Sequence, residues 1–157
     1  PDASPDFTTL SAWMDWQRGL SRSVSLVLAA RGQISSDPLL ITEDIGLGGN
    51  RFLRGYNFGE RSGDEGIMGF AELRYDWDDA FGLVRRMQFY GYADGGVVGN
   101  LDGGRGSGSL ASGGGGIRTD ITRDLDLDLE LAIPLTGPRY DTDDKSPRLN
   151  VSVSQSF

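Results

Sequence analysis

The chain has 157 residues, with 15 basic and 23 acidic side chains for a formal net charge of -8, and it contains neither cysteine nor histidine. The length suits one domain or part of one; the acidity argues against a nucleic-acid partner, which needs clustered Lys and Arg; the lack of Cys excludes disulfides and thiol chemistry. Without histidine the Ser-His-Asp and Cys-His arrangements and the usual zinc sites are excluded, and a general acid or base would have to come from Asp, Glu, Lys or Tyr; no catalytic residue, metal or other cofactor is singled out.

No run approaches the roughly 18 consecutive apolar residues of a membrane helix. A transmembrane barrel stays open, because its strands show lipid only every second residue. Period-two alternation is the dominant pattern, and it predicts strands at about 7–19, 22–34, 66–77, 86–98, 109–120, 124–134 and 147–157, with no helix. In Asp124-Leu125-Asp126-Leu127-Asp128-Leu129-Glu130-Leu131-Ala132-Ile133 the odd positions are all apolar and the even ones are acidic or Ala132. In the last strand Leu149, Val151, Val153 and Phe157 share one face, and Asn150, Ser152, Ser154 and Ser156 the other.

The connections alternate in length: short at 19–21, long at 35–65, short at 78–85, glycine-rich at 99–108, tight at 121–123 and long at 135–146. Short turns at one end and long loops at the other are the habit of outer-membrane barrels. A strand of ten or eleven residues tilted by about 45° rises roughly 23 to 26 Å, the height of the apolar band that such barrels show to lipid. A soluble β-sandwich also alternates. Trp16, Tyr75, Trp77, Phe89 and Phe157, near the strand ends on the short-turn side, favour the barrel, since they read as an interfacial girdle. Seven strands with Phe157 in the periplasm put residues 1–6 outside the cell, whereas a complete barrel of even strand number starts in the periplasm. An open sheet in lipid would also leave two unpaired edges. The chain is therefore expected to be the C-terminal part of a larger barrel.

The 35–65 loop is too long to be idle and, with Ile45, Leu47, Phe52, Leu53, Tyr56 and Phe58, too apolar for disorder. It is expected to pack against protein around Leu53-Arg54-Gly55-Tyr56, with Gly46, Gly48 and Gly49 as hinges. Parity turns Glu72, Arg74, Asp94, Asp126, Asp128 and Glu130 away from the apolar face and makes them a lumen lining. Three other patterns carry nothing. Asp94-Gly95-Gly96 lacks the hydroxyl residue and second copy of an aspartic protease, Gly113 to Gly116 lack the lysine of a phosphate loop, and Asp141, Asp143 and Asp144 lack the spacing of a calcium loop.

Gly32-Gln33, Asp37-Pro38-Leu39-Leu40, Glu43, Gly46-Leu47-Gly48-Gly49, Leu53-Arg54-Gly55-Tyr56, Gly63-Asp64-Glu65-Gly66 and Glu72-Leu73-Arg74 stand in an order that resembles the haemolysin secretion/activation transporters. These are the TpsB outer-membrane partners of two-partner secretion. Tyr92-Ala93-Asp94-Gly95-Gly96 is similar to the family's Phe-x-Asp-x-Gly strand motif with Tyr for Phe, and Ala132-Ile133-Pro134-Leu135 resembles its penultimate-strand ending. The resemblance implies an all-β fold, an antiparallel transmembrane β-barrel of 16 strands in the Gram-negative outer membrane, of which this chain is about the last seven. It also implies two POTRA domains and a plug helix upstream, and passage of a secreted exoprotein through the pore. By carry-over, the 35–65 loop reaches back into the lumen, where Arg54 meets Asp94 and the strand glutamate Glu72. Gly55, Gly95 and Gly96 allow close approach to the wall, and Phe157 is the signal that the outer-membrane assembly machinery reads. An assembly insertase of the same superfamily and a passive barrel anchor of a surface protein are the alternatives.

Overall fold

A computed structural model describes residues 7–155 except 79, 83, 104, 105 and 123. The alternating segments form β1 (Thr9–Gly19), β2 (Val24–Ser35), β5 (Glu65–Asp78), β6 (Arg86–Gly99), β7 (Gly108–Asp120), β8 (Leu125–Pro134) and β9 (Arg148–Gln155), with the three-residue strands β3 (Ile45–Leu47) and β4 (Arg61–Gly63) inside the long loop. The seven long strands make one antiparallel meander in the order β1-β2-β5-β6-β7-β8-β9, and β3 and β4 pair with each other as a separate ribbon. The ribbon and two single 3-10 turns, Ala80–Gly82 and Leu101–Gly103, are additions to the seven strands that alternation predicts. Among the described residues no helix is long and apolar enough to cross a membrane, a statement that leaves strands aside.

Register sorts the side chains. Val27 lies opposite Glu72, Glu72 opposite Tyr92, Asp94 opposite Ser112 and Arg118 opposite Asp128. One face therefore carries the odd positions of β1 and β2 and the even positions of β5 to β9. The other face presents Leu10, Met14, Ile34, Ile67, Leu73, Val97, Leu129, Leu131, Val151 and Val153, all exposed. So large a continuous apolar surface marks contact with something other than water, and the alternation is that of a wall with lipid on one side. Trp16, Tyr75, Trp77 and Phe89 point to the apolar side near the short-turn ends, with Tyr75 and Phe89 directly opposite each other. Phe157 lies outside the described residues. Trp13 departs from the pattern, since it sits on the polar face and is exposed.

The core lies on the inner face, between the loop and the sheet. Ile45, Leu47, Phe52, Leu53 and Tyr56 of the loop pack with Ala29, Met68, Val98 and Leu110 of the wall, with Phe70 beside them. Phe58 is the exception to the expected packing: it is 85% exposed. The base of the loop is clasped by Asp64, whose carboxylate accepts the Leu39 N–H at 2.6 Å and the Leu101 N–H at 2.8 Å. From there the segment lies over the inner face, and its tip meets β6, β7 and β8.

Candidate functional site

The tip turns sharply. Tyr56 N–H donates to Leu53 O at 2.9 Å and Gly49 N–H to Tyr56 O at 3.2 Å. Gly48, at φ 102°, could hold no side chain, because a Cβ there would lie 1.9 Å from Asn57 O. Leu53 is left-handed as well (φ 57°) although fully buried. A non-glycine residue pays about 1–2 kcal/mol for that conformation, and core packing of its side chain holds it there. The turn aims the next residue, Arg54, at the wall.

Arg54 is 6% exposed and lies among three carboxylates. Its Nη2 is 2.8 Å from Glu72 Oε2 and its Nη1 3.0 Å from Glu130 Oε2. The guanidinium plane stacks on Tyr92, 3.6 Å from the ring centroid, with Phe70 at 5.0 Å. Asp94 meets Arg54 as expected, and its closest contact is with the backbone. Its Oδ2 accepts the Arg54 backbone N–H at 3.0 Å and lies 3.8 Å from Nε, while its Oδ1 takes the hydroxyl of Ser112. Among the described residues Arg54 Nε makes no hydrogen bond. The guanidinium is thus divided between Glu72 and Glu130, and Asp94 fixes the backbone. The physical reason is reach: the loop passes so close to β6 and β7 that the side chain overshoots Asp94.

Glu72, 1% exposed, is shared further. Arg74 Nε lies 2.6 Å from its Oε1 and Arg118 Nη1 3.0 Å, and Arg118 also reaches Asp128 at 3.4 Å. Glu130 in turn accepts from Tyr90 Oη at 3.0 Å and Asn150 at 3.2 Å. One network of alternating sign therefore joins the loop to β5, β6, β7, β8 and β9. Charges taken from water are tolerated only when matched in this way.

Close approach is built in at named points. A Cβ on Gly55 would meet Ser112 Cβ at 2.8 Å and Pro134 N at 2.9 Å, and Gly55 N–H donates to Ser112 Oγ at 3.1 Å. Gly96 faces the loop, where a Cβ would meet Leu47 at 2.8 Å. Gly95 faces the apolar side and takes no part in seating the loop, which its odd position in β6 dictates. Gly46 would tolerate a side chain at ordinary contact distance, so of the three expected hinges only Gly48 and Gly49 have positive φ. Tyr56, fully buried, donates to Gly137 O at 3.0 Å and is 3.2 Å from Thr136 Oγ1, which ties the tip to the 135–147 loop.

Asp126 stands apart from the network and bonds Ser154 at 3.5 Å. In the 135–147 loop, Asp144 is held down to about 2 by hydrogen bonds from Thr142, Ser146 and Arg139. In the long loop, burial and the Asp64 charge push Asp44 up. Among the described residues no cluster of His, Cys, Asp and Glu is arranged to hold a metal.

Sequence reasoning missed Ser112 and Arg118, named Tyr92 only as part of the strand motif without its stacking on Arg54, and placed Glu130 as lining only. The signal was available in part. Pairing the strands at 86–98 and 109–120 through their connection brings Ser112 to within one residue of the position opposite Asp94, which it occupies in the structure. It missed the part the tyrosine rings play because the glycines opposite them are weighed only as a phosphate loop. A Cβ on Gly116 would lie 2.6 Å from Tyr90 Oη and one on Gly114 2.8 Å from Tyr92 Oη, so these glycines make room for both rings to lie across β7.

Comparison with known proteins places the fold and the family. The family model of the haemolysin secretion/activation protein ShlB/FhaC/HecB matches residues 1–119. The solved structure of CdiB from Escherichia coli matches with a TM-score of 0.80 at 24% identity, over 96% of this chain and 28% of that one. CdiB from Acinetobacter baumannii matches with a TM-score of 0.71 at 23% identity, over 96% of this chain and 27% of that one. No curated protein sequence matches significantly. The two structures show the fold, an arc of antiparallel barrel, and this chain spans little more than a quarter of either. With the family model covering most of its length, the chain belongs to the haemolysin secretion/activation protein family ShlB/FhaC/HecB, a family of Gram-negative outer-membrane β-barrels of two-partner secretion.

Proposed function

We propose that the chain supplies wall and inward loop to a 16-stranded outer-membrane pore that passes an unfolded partner exoprotein, with Arg54 as the anchor of the loop. The carrying observation is the buried Arg54 divided between Glu72 and Glu130 while Asp94 holds its backbone. A barrel that only anchors a surface protein needs no such seat, because nothing has to be kept at a fixed place in its lumen. The apolar face contacts outer-membrane lipid, and the terminal strand is delivered by the assembly machinery through Phe157.

The test is secretion of the partner exoprotein by the full-length protein carrying Arg54→Ala or the double change Glu72→Gln with Glu130→Gln, after a check that each barrel assembles. Stranding a buried charge costs about 3–5 kcal/mol, well above the roughly 1.4 kcal/mol that a tenfold effect requires. Secretion is therefore expected to fall more than tenfold for Arg54→Ala. Normal secretion by both variants, with the loop shown by proteolysis to be displaced, would defeat the anchor reading.

A further inference from the structure

Three cavities on the inner face share their linings. One of about 600 Å³ lies between Asn50 and Arg54 of the loop and Glu130, Asn150 and Ser152 of the wall. A second of about 470 Å³ meets it at Asn50 and Asn150 and continues to Asn57 and Arg148. A third of about 320 Å³ meets it at Arg118, Asp128 and Ser152 and ends at Asp126 and Ser154. They form one trough that follows β9 from Arg148, beside the 135–147 loop, to Ser154 near the short-turn end. The seated loop is its opposite bank.

The lining fits one kind of occupant. From Arg148 to Ser154 the strand advances about 20 Å at roughly 3.3 Å per residue, the run of an extended segment of about six or seven residues. The amides and hydroxyls of Asn50, Asn150, Ser152 and Ser154 exchange hydrogen bonds readily with a peptide backbone. The charges along the trough are mostly spent on one another: Arg118 lies 3.4 Å from Asp128, Arg54 3.0 Å from Glu130, and Asn150 donates to Glu130 at 3.2 Å. A moving chain of either sign meets no unmatched charge at those places to hold it. The carboxylates disfavour nucleic acid.

Resting on the conduction reading above, we infer that the exoprotein in transit runs extended along β9 in this trough, with the loop still seated. Transport then needs no withdrawal of Arg54 from Glu72, because the loop borders the path and does not fill it.

The experiment uses the full-length protein in its membrane and an exoprotein fused at its C-terminus to a stably folded domain, which stalls it in the pore. This chain has no cysteine of its own, so Ser152→Cys and Ser154→Cys report on the trough. Gln17→Cys, on the inner face of β1 away from it, is the control. Each is labelled with a charged methanethiosulfonate reagent in the idle and the stalled state. A bound chain that covers most of the site is expected to slow labelling at 152 and 154 by about tenfold, leaving position 17 near its idle rate. Unchanged rates at 152 and 154, while the unfused exoprotein is still secreted, would overturn the path and leave the conduction reading standing. Failure of the unsubstituted protein to secrete at all would overturn both.

Discussion

At the scale of single residues, the division of labour around Arg54 decides what each substitution does. A guanidinium has a planar fork that reaches Glu72 and Glu130 at once and a flat face that covers Tyr92. A lysine ammonium is one point charge and satisfies one of the two carboxylates. Arg54→Lys is therefore expected to behave like Arg54→Ala in a secretion assay and not like the native protein, and near-native secretion by the lysine variant would refute the forked arrangement. The exchanged pair Arg54→Asp with Asp94→Arg is expected not to restore secretion. It sets a carboxylate against Glu72 and Glu130 and removes the acceptor of the Arg54 N–H and the Ser112 hydroxyl. Parity alone made Glu72, Asp94 and Glu130 legible as inward residues. Which of them takes the guanidinium depends on how near the loop lies to β6 and β7, and that is set by Gly55 against Ser112 and Pro134, a contact between parts of the chain remote in sequence.

At the scale of elements, β7 and the surface loop make separate predictions. Gly116 lies under Tyr90, and a Cβ there would also sit 2.2 Å from Leu129 O on β8. Gly116→Ala is expected to break the local pairing of β7 with β8 and displace the Tyr90 ring that Arg118 covers at 3.8 Å. Its measure is the yield of folded, heat-modifiable barrel on a gel, and an unchanged yield would sink the account. In the 135–147 loop Asp144 has a folded value of about 2 against an ordinary 3.8. Since the folded value is the lower, its contribution to loop order is complete above pH 3.8 and is lost as pH falls through about 2. A titration of the Asp144 carboxyl carbon with its midpoint near the ordinary value would contradict the bonds from Thr142, Ser146 and Arg139. The long strands were readable to within two residues at their described ends, because one face of each is continuously apolar. The β3–β4 ribbon was not: three residues carry too little pattern, and the ribbon forms because the wall beneath receives Ile45 and Leu47.

At the scale of the whole molecule, the two faces respond oppositely to the same change. Leu129, midway along β8, points to the apolar side, whereas Ser152, in the neighbouring strand, points inward. Leu129→Lys is expected to destabilise the membrane-embedded barrel by about 2–4 kcal/mol, the cost of a lysine at the bilayer midplane, and Ser152→Lys by far less. Equilibrium unfolding in lipid vesicles measures both, and equal effects would reverse the assignment of the faces. The loop has a further consequence at this scale. It leaves the sheet between β2 and β5 and is fastened at its tip to β6, β7 and β8, so it spans the arc of the wall as a chord spans a circle. Arg54 and Tyr56 thereby tie β5, β8 and the 135–147 loop to one point on the inner side of the sheet, so a change that frees them releases a cross-brace between strands and not merely a loop.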